Sequence, residues 1–221
     1  MHARLVLARA VTVAVRYLSI RRQFKDRDGD GSGIEIAVLD YPTVQIRVLP
    51  LLATAFALHY SGKAMGELYW RTRKNIEQGD FAALADLHSI SSGLKSLCTD
   101  LAANGIETCR RAMGGHGFGG GSGLVQLNSD YLSKPTVEGD NWMITQQVAN
   151  YVIKKAKGLA QTPKSGSTKT EEILKKYFYT RDRRPMYDVL TSDEDIVQAF
   201  EWRAAHLVRH LKKGAVRRSL H

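Results

Sequence analysis

CRRAMGGHGFGGGSGLVQLNSDYLSKPTVEGDN, residues 109–141, is the stretch whose reading decides the fold. Helical apolar patterns flank it on both sides, so it interrupts a helical unit and does not divide two domains. Glycines as dense as those from Gly114 to Gly123 let a backbone pass close to a flat or phosphorylated ligand, where a side chain would obstruct. The run fails the phosphate-loop pattern, because no Gly-Lys-Ser/Thr closes it, and it does not follow a strand as a dinucleotide fingerprint must. Taken alone it reads as a flexible loop. Glu138 stands in a turn just before the next helix, between Pro135-Thr136-Val137 and Gly139. A carboxylate held among apolar groups loses hydration of its charged form and becomes a better base for a weakly acidic C–H. On local chemistry alone, a capping or solvent-facing role for Glu138 is the stronger reading.

Working outward, residues 3 to about 24 carry apolar side chains at three-to-four spacing and predict a helix ending in Arg21-Arg22-Gln23-Phe24. The following KDRDGDGSG is a loop. Its aspartates Asp26, Asp28 and Asp30 do not complete a calcium loop, because the twelfth position, Ala37, is not the glutamate such a loop needs, and no metal is expected. Pro42 opens a second helix reaching about Lys74, apolar nearly all round and therefore expected to be central, with a kink at Pro50. A third, capped by Asp80, runs through Leu84, Leu87, Leu94, Cys98, Leu101 and Cys109. His59 and His88 on these helices read as packed or hydrogen-bonded at the core edge. A fourth helix spans Asp140 to about Lys157. No strand alternation of useful length appears. Residues 158–169 are the clearest linker, and helices over 171–179 and 193–213 follow. The expected fold is all-α: a four-helix up-and-down bundle over residues 1–158, a linker at 159–170, and over 171–221 the truncated start of a second helical domain.

A net charge of +10 points to an anionic partner, yet no nucleic-acid-binding motif accompanies it, so nucleic acid is not expected. No run of eighteen apolar residues exists, which excludes a membrane span read from hydropathy. The Arg-rich, acid-free first 25 residues imitate a targeting leader but merge into Arg21–Phe24 and read as part of the fold. Cys98 and Cys109 on one helix lie about 16 Å apart, too far for a disulfide, so both are expected to be free.

The combination carries more than its parts. Arg-x-Gln-Phe at a helix end, Gly-Gly-x-Gly-aromatic after a later helix and Glu-Gly opening the last bundle helix resemble, in that order, the acyl-CoA dehydrogenase and oxidase superfamily. The long loop after Arg21–Phe24, the GGHGF form of the glycine motif and the helix DIVQAFEWRAAHLV after the linker favour the oxidase branch. The resemblance implies an FAD enzyme that desaturates a fatty acyl-CoA and passes the electrons to O2, giving hydrogen peroxide in peroxisomal β-oxidation. It makes Glu138 the base that takes the α-proton, while the β-hydrogen leaves as hydride to the flavin. It assigns Arg21, Gln23 and Phe24 to contact with FAD, typically the partner subunit's, and so implies a homodimer. Gly114 and Gly115 would allow close approach of the cofactor, and Gly139, Asp140 and Asn141 would lie beside it. Glu138 is expected in a greasy pocket, on the same side of the bundle as Arg21 and the double glycine. Phe118 stands where tyrosine is common in that family. The family's N-terminal helical and β domains are absent from this sequence, so the chain reads as a fragment inactive alone. Two alternatives are a dehydrogenase-type enzyme and a non-catalytic helical dimerisation fragment. The final Ser-Leu-His is not the peroxisomal Ser-Lys-Leu address.

Overall fold

The computed structural model describes residues 2–25, 33–159, 168–180 and 186–218, with side chains as far as Leu211. Four long helices form an up-and-down bundle: α1 (His2–Ile20), α2 (Pro42–Glu77), α3 (Leu84–Ala112) and α5 (Asn141–Leu159). A short helix, α4 (Leu124–Tyr131), lies inside the glycine-rich stretch, and α6 (Lys169–Thr180) and α7 (Asp193–Arg218) complete the order. The all-α expectation holds.

Helix α1 is the spine. Val6, Leu7, Ala10, Val11, Ala14 and Leu18 recur every three or four residues and are all buried. They meet Val44, Val48, Ala55 and Leu58 of α2 and Ala102, Ile106 and Cys109 of α3 in one core. At Gly105 of α3 a Cβ would come within 2.5 Å of Leu7 Cδ1, so Leu7 packs directly over this glycine in the α1–α3 contact. The two cysteines are free, and the burial of Cys109 pushes its thiol up to about 12.

Several boundaries differ from the sequence reading. Helix α1 stops at Ile20, not near residue 24, and Arg22–Lys25 pairs as strand β1 antiparallel to β2 (Glu35–Ala37). The register slips between Arg22↔Ala37 and Lys25↔Glu35, leaving one extra residue on β1, and Phe24 at φ +63° takes up the bulge. Two strands this short, mostly exposed, leave no alternation to detect in sequence. Asp80 does not cap α3. Its carboxylate accepts from the Ala82 amide at 2.9 Å in a turn that precedes Leu84. Helix α2 passes through Pro50 and buries one face only, leaving Ile46, Phe56 and Tyr60 exposed in this chain. The aspartates at 26, 28 and 30, most of the linker and Arg181, Arg183 and Arg184 lie outside the described residues.

A smaller cluster joins the end of α5 to α6 and α7 through Ala156, Leu174, Tyr177 and Ala205. Buried Asp86 on α3 accepts from Tyr151 on α5 at 3.0 Å and from Thr170 on α6 at 2.8 Å, and Lys155 pairs with Glu171 at 2.6 Å. The post-linker helices are therefore tied to the bundle.

Ile106 is fully buried between α1 and α3. Ile106→Ala is expected to cost about 2–5 kcal/mol in urea denaturation, whereas Ile46→Ala, at an exposed position, stays within about 0.5 kcal/mol of wild type.

Candidate active site

The candidate residues fall at two ends of the bundle. At the first, α4 returns the chain along α1 until Tyr131 meets His2, ring centroids 5.6 Å apart, and a turn of residues 132–140 leads into α5. Glu138 and Gly139 are consecutive left-handed residues in that turn, at φ +58° and +100°. A non-glycine residue held there is strained by about 1–3 kcal/mol, so the surroundings must impose it. They do so from α3. Lys95 Nζ donates to Pro135 O at 3.0 Å, to Asn141 Oδ1 at 2.8 Å and to Gly139 O. Buried Asn141 turns its amide nitrogen onto Ser96 O, Thr99 Oγ1 and Asp100 Oδ1, and its backbone N–H closes the turn on Pro135 O at 2.9 Å. Asp140 accepts from the Trp142 amide at 2.9 Å and so opens α5.

Glu138 lies at the rim of a groove of about 410 Å³ with Leu58, Met65, Leu94, Cys98 and Tyr131 among its lining, flanked by Arg4, Lys95 and Lys134. The carboxylate itself is exposed, not enclosed as expected from sequence. The groove supplies one apolar side, and none of the described residues covers the other.

At the second end, the last turn of α3 and the glycine-rich run fold back on each other. Arg110 forks onto Glu107 with two hydrogen bonds of 2.7 Å, Arg111 adds one of 2.6 Å, and Asn128 of α4 donates at 3.0 Å. The Arg110 hydrogen bonds above all, with those of Arg111, hold the Glu107 carboxyl down to about 2 against the opposing effect of desolvation. The Arg110 guanidinium also lies over the Phe118 ring at 4.3 Å. Gly117 is the tight position, since a Cβ there would fall 1.8 Å from Arg110 O. Gly114 and Gly115 meet nothing and line open surface, Gly114 at φ +59°. Tyr17 near the end of α1 bonds His116 Nδ1 at 2.8 Å, which brings the run beside exposed Arg21, Gln23 and Phe24. Tyr41 donates to Gln23 O at 2.8 Å and steadies that strand.

Arg21, Gln23, Phe24, Gly114 and Gly115 therefore share one end of the bundle, and Glu138, Gly139, Asp140 and Asn141 the other. The 19 residues of α1 separate them by roughly 27 Å. The expectation that Glu138 and Arg21 lie on the same side is not met. Asn141 has its side chain committed inward to α3, so it holds the turn and is not presented outward. Sequence reading missed Lys95, Glu107 and Gly117. Only Glu107 carried a local signal, an acid three and four residues before Arg110 and Arg111.

Residues 1–153 match the acyl-CoA oxidase C-alpha1 domain. The chain is 44% identical over 153 residues to a putative peroxisomal acyl-coenzyme A oxidase 1.2 of Arabidopsis thaliana, covering 69% of this chain and 23% of that protein. It is 39% identical over 148 residues to peroxisomal acyl-coenzyme A oxidase 1 of Rattus norvegicus, covering 67% and 22%. Among solved structures, Arabidopsis thaliana acyl-CoA oxidase 1 superposes with a TM-score of 0.86 at 35% identity, over 96% of this chain and 32% of that one. Caenorhabditis elegans acyl-CoA oxidase-1, solved with FAD and ATP, gives 0.82 at 29% identity over 97% and 31%. The fold is thus that of the helical C-terminal part of a flavoenzyme class. More narrowly, the chain belongs to the acyl-CoA oxidase family, and it spans less than a quarter of the length of these two curated relatives.

Two substitutions separate packing from open surface at the glycine run. Gly117→Ala is expected to destabilise by about 1–3 kcal/mol because backbone must move, and Gly115→Ala to leave the melting temperature within a degree or two of wild type, about 0.5 kcal/mol or less. Glu107 is a depressed carboxyl. Its contribution is complete above the unfolded value near 4.3 and disappears as pH falls towards about 2. The stability gap between wild type and Glu107→Gln should therefore close on acidification through that window, as read by denaturant midpoints. A constant gap would count against the ion-pair account.

Proposed function

We propose that this chain is the part of an FAD-dependent acyl-CoA oxidase that supplies the catalytic base and one wall of a flavin site. The overall reaction is acyl-CoA plus O2 giving trans-2-enoyl-CoA plus hydrogen peroxide. The observation that carries the proposal is the turn at Glu138: a residue with a strained backbone, in a turn pinned from α3, at the rim of a groove with an apolar floor. It lies in the segment matched to the acyl-CoA oxidase C-alpha1 domain.

The chemistry fits that placement. The carbon next to a thioester carbonyl is weakly acidic, and its proton needs a carboxylate held within hydrogen-bond reach. Glu138 would take that proton, and an acyl chain lying along the groove would cover the carboxylate and strip its water. FAD, when bound, supplies the acceptor for the electron pair that leaves the β-carbon. The residues at the other end fit a polyanionic, flat group as one wall: Arg21 is exposed beside Phe24, and the surface at Gly114 and Gly115 is open. A single chain cannot present both ends, roughly 27 Å apart along α1, to the same reacting atoms. That separation favours a homodimer in which the Arg21 end of one subunit serves the cofactor of its partner. A peroxisomal location follows from relatives that carry that name.

In the full-length polypeptide, Glu138→Gln should retain flavin and lose at least about three orders of magnitude in kcat, with wild type releasing peroxide under air in step with enoyl-CoA. Retained turnover would remove the base assignment. Turnover that needs a flavoprotein acceptor and releases no peroxide would move the protein to the dehydrogenase branch.

A further inference from the structure

We infer that Lys95 is a positioning residue for the reaction: its ammonium group sets the direction of the Glu138 carboxylate by gripping the turn on both sides of it. The inference rests on Glu138 being the base. Lysine ammonium has three hydrogens and no acceptor. All three are used here, on Pro135 O before Glu138, on Gly139 O after it, and on Asn141 Oδ1 at the start of α5. The donor comes from the middle of α3, 40 to 46 residues away in sequence, so the turn is fixed to the bundle core and not merely to its own neighbours.

The grip also explains the backbone. Glu138 and Gly139 both sit in the left-handed region, and the two carbonyls bridged by Lys95 flank that pair. The turn's own backbone hydrogen bonds include Lys134 onto Tyr131 O, Thr136 and Val137 onto Ser133 O, and Asn141 onto Pro135 O. None of these is made by the amide of Glu138 or Gly139. Charge-assisted bonds from a part-buried ammonium are stronger than neutral ones. Asn141 then carries the hold onward, because the oxygen of its amide faces Lys95 while the nitrogen faces Ser96, Thr99 and Asp100. Lys95 therefore reaches the reaction through Glu138 and does not itself need to touch substrate.

Lys95→Met tests this in two ways. In this chain, hydrogen exchange followed by mass spectrometry should show peptides across 132–142 exchanging about tenfold faster, with α1 and the rest of α3 unchanged. In the complete flavoprotein, kcat should fall about tenfold to a hundredfold while KM and flavin content stay within about twofold, the pattern of a misaimed base and not of a damaged binding site. Glu138→Gln is measured alongside. If it is inactive while Lys95→Met keeps wild-type kcat, or if exchange across 132–142 does not change, the positioning role is overturned and the base reading stands. If Glu138→Gln remains active, the base reading fails and takes this inference with it. Should Lys95→Met fail to fold, Lys95→Gln, which keeps an amide donor but neither the charge nor three hydrogens, is judged by the same measurements.

Discussion

The packing of α1 against α3 is the constraint on which the remaining geometry depends. Leu7, Ala10, Val11 and Ala14 of α1 share one buried core with Ala102, Ile106 and Cys109 of α3, and Leu7 packs over Gly105, so the two helices run parallel in close contact along α1 and the second half of α3. Because they are parallel, both finish at the same end. The last turn of α1 then reaches the glycine run through Tyr17 and His116, and the start of α1 faces the middle of α3, where Lys95 and Thr99 hold the turn of Glu138. Helix α4 closes the circuit by carrying the chain from the glycine end back to the start of α1. One packing decision thus places two sets of polar groups at opposite ends of a rigid rod.

Those ends differ in how they are held. The glycine end is a surface folded onto itself: Glu107 gathers Arg110, Arg111 and Asn128, Phe118 lies against Arg110, and Gly117 allows the backbone to close. What remains outward is Gly114, Gly115 and the strand carrying Gln23 and Phe24, which suits contact with a large flat ligand. The other end is a turn whose backbone at Glu138 is held left-handed, with bonds from a neighbouring helix to the carbonyls on either side of it. One end offers area and the other a single carboxyl-bearing turn, a division that suits the proposed separation of binding from proton transfer.

Much of the architecture was legible because three-to-four periodicity reports buried faces, and α1, α2 and α3 each bury one. The order of Arg21–Phe24, the glycine run and Glu138–Gly139 was equally legible, since those residues are contiguous within each motif. What stayed hidden was long-range. Nothing near Lys95 marks it as the partner of carbonyls at 135 and 139, and the pairing of Arg22–Lys25 with Glu35–Ala37 involves too few residues to show a period of two. The glycines misled in part. All look alike in sequence, yet Gly117 serves a backbone contact while Gly114 and Gly115 serve open surface. The apolar circumference of α2 suggested a central helix, but among the described residues only one of its sides is covered.

Subunit complementation tests the separation of the two ends most directly. Two full-length variants, Glu138→Gln and Arg21→Glu, are each prepared, shown to be impaired, and then co-assembled as a mixed dimer. If each site takes its base from one subunit and its Arg21 end from the other, the mixed dimer contains one site with both residues intact, and turnover should rise to about half the wild-type value per dimer. If both residues serve the site of their own chain, every site carries one defect, and mixing restores nothing.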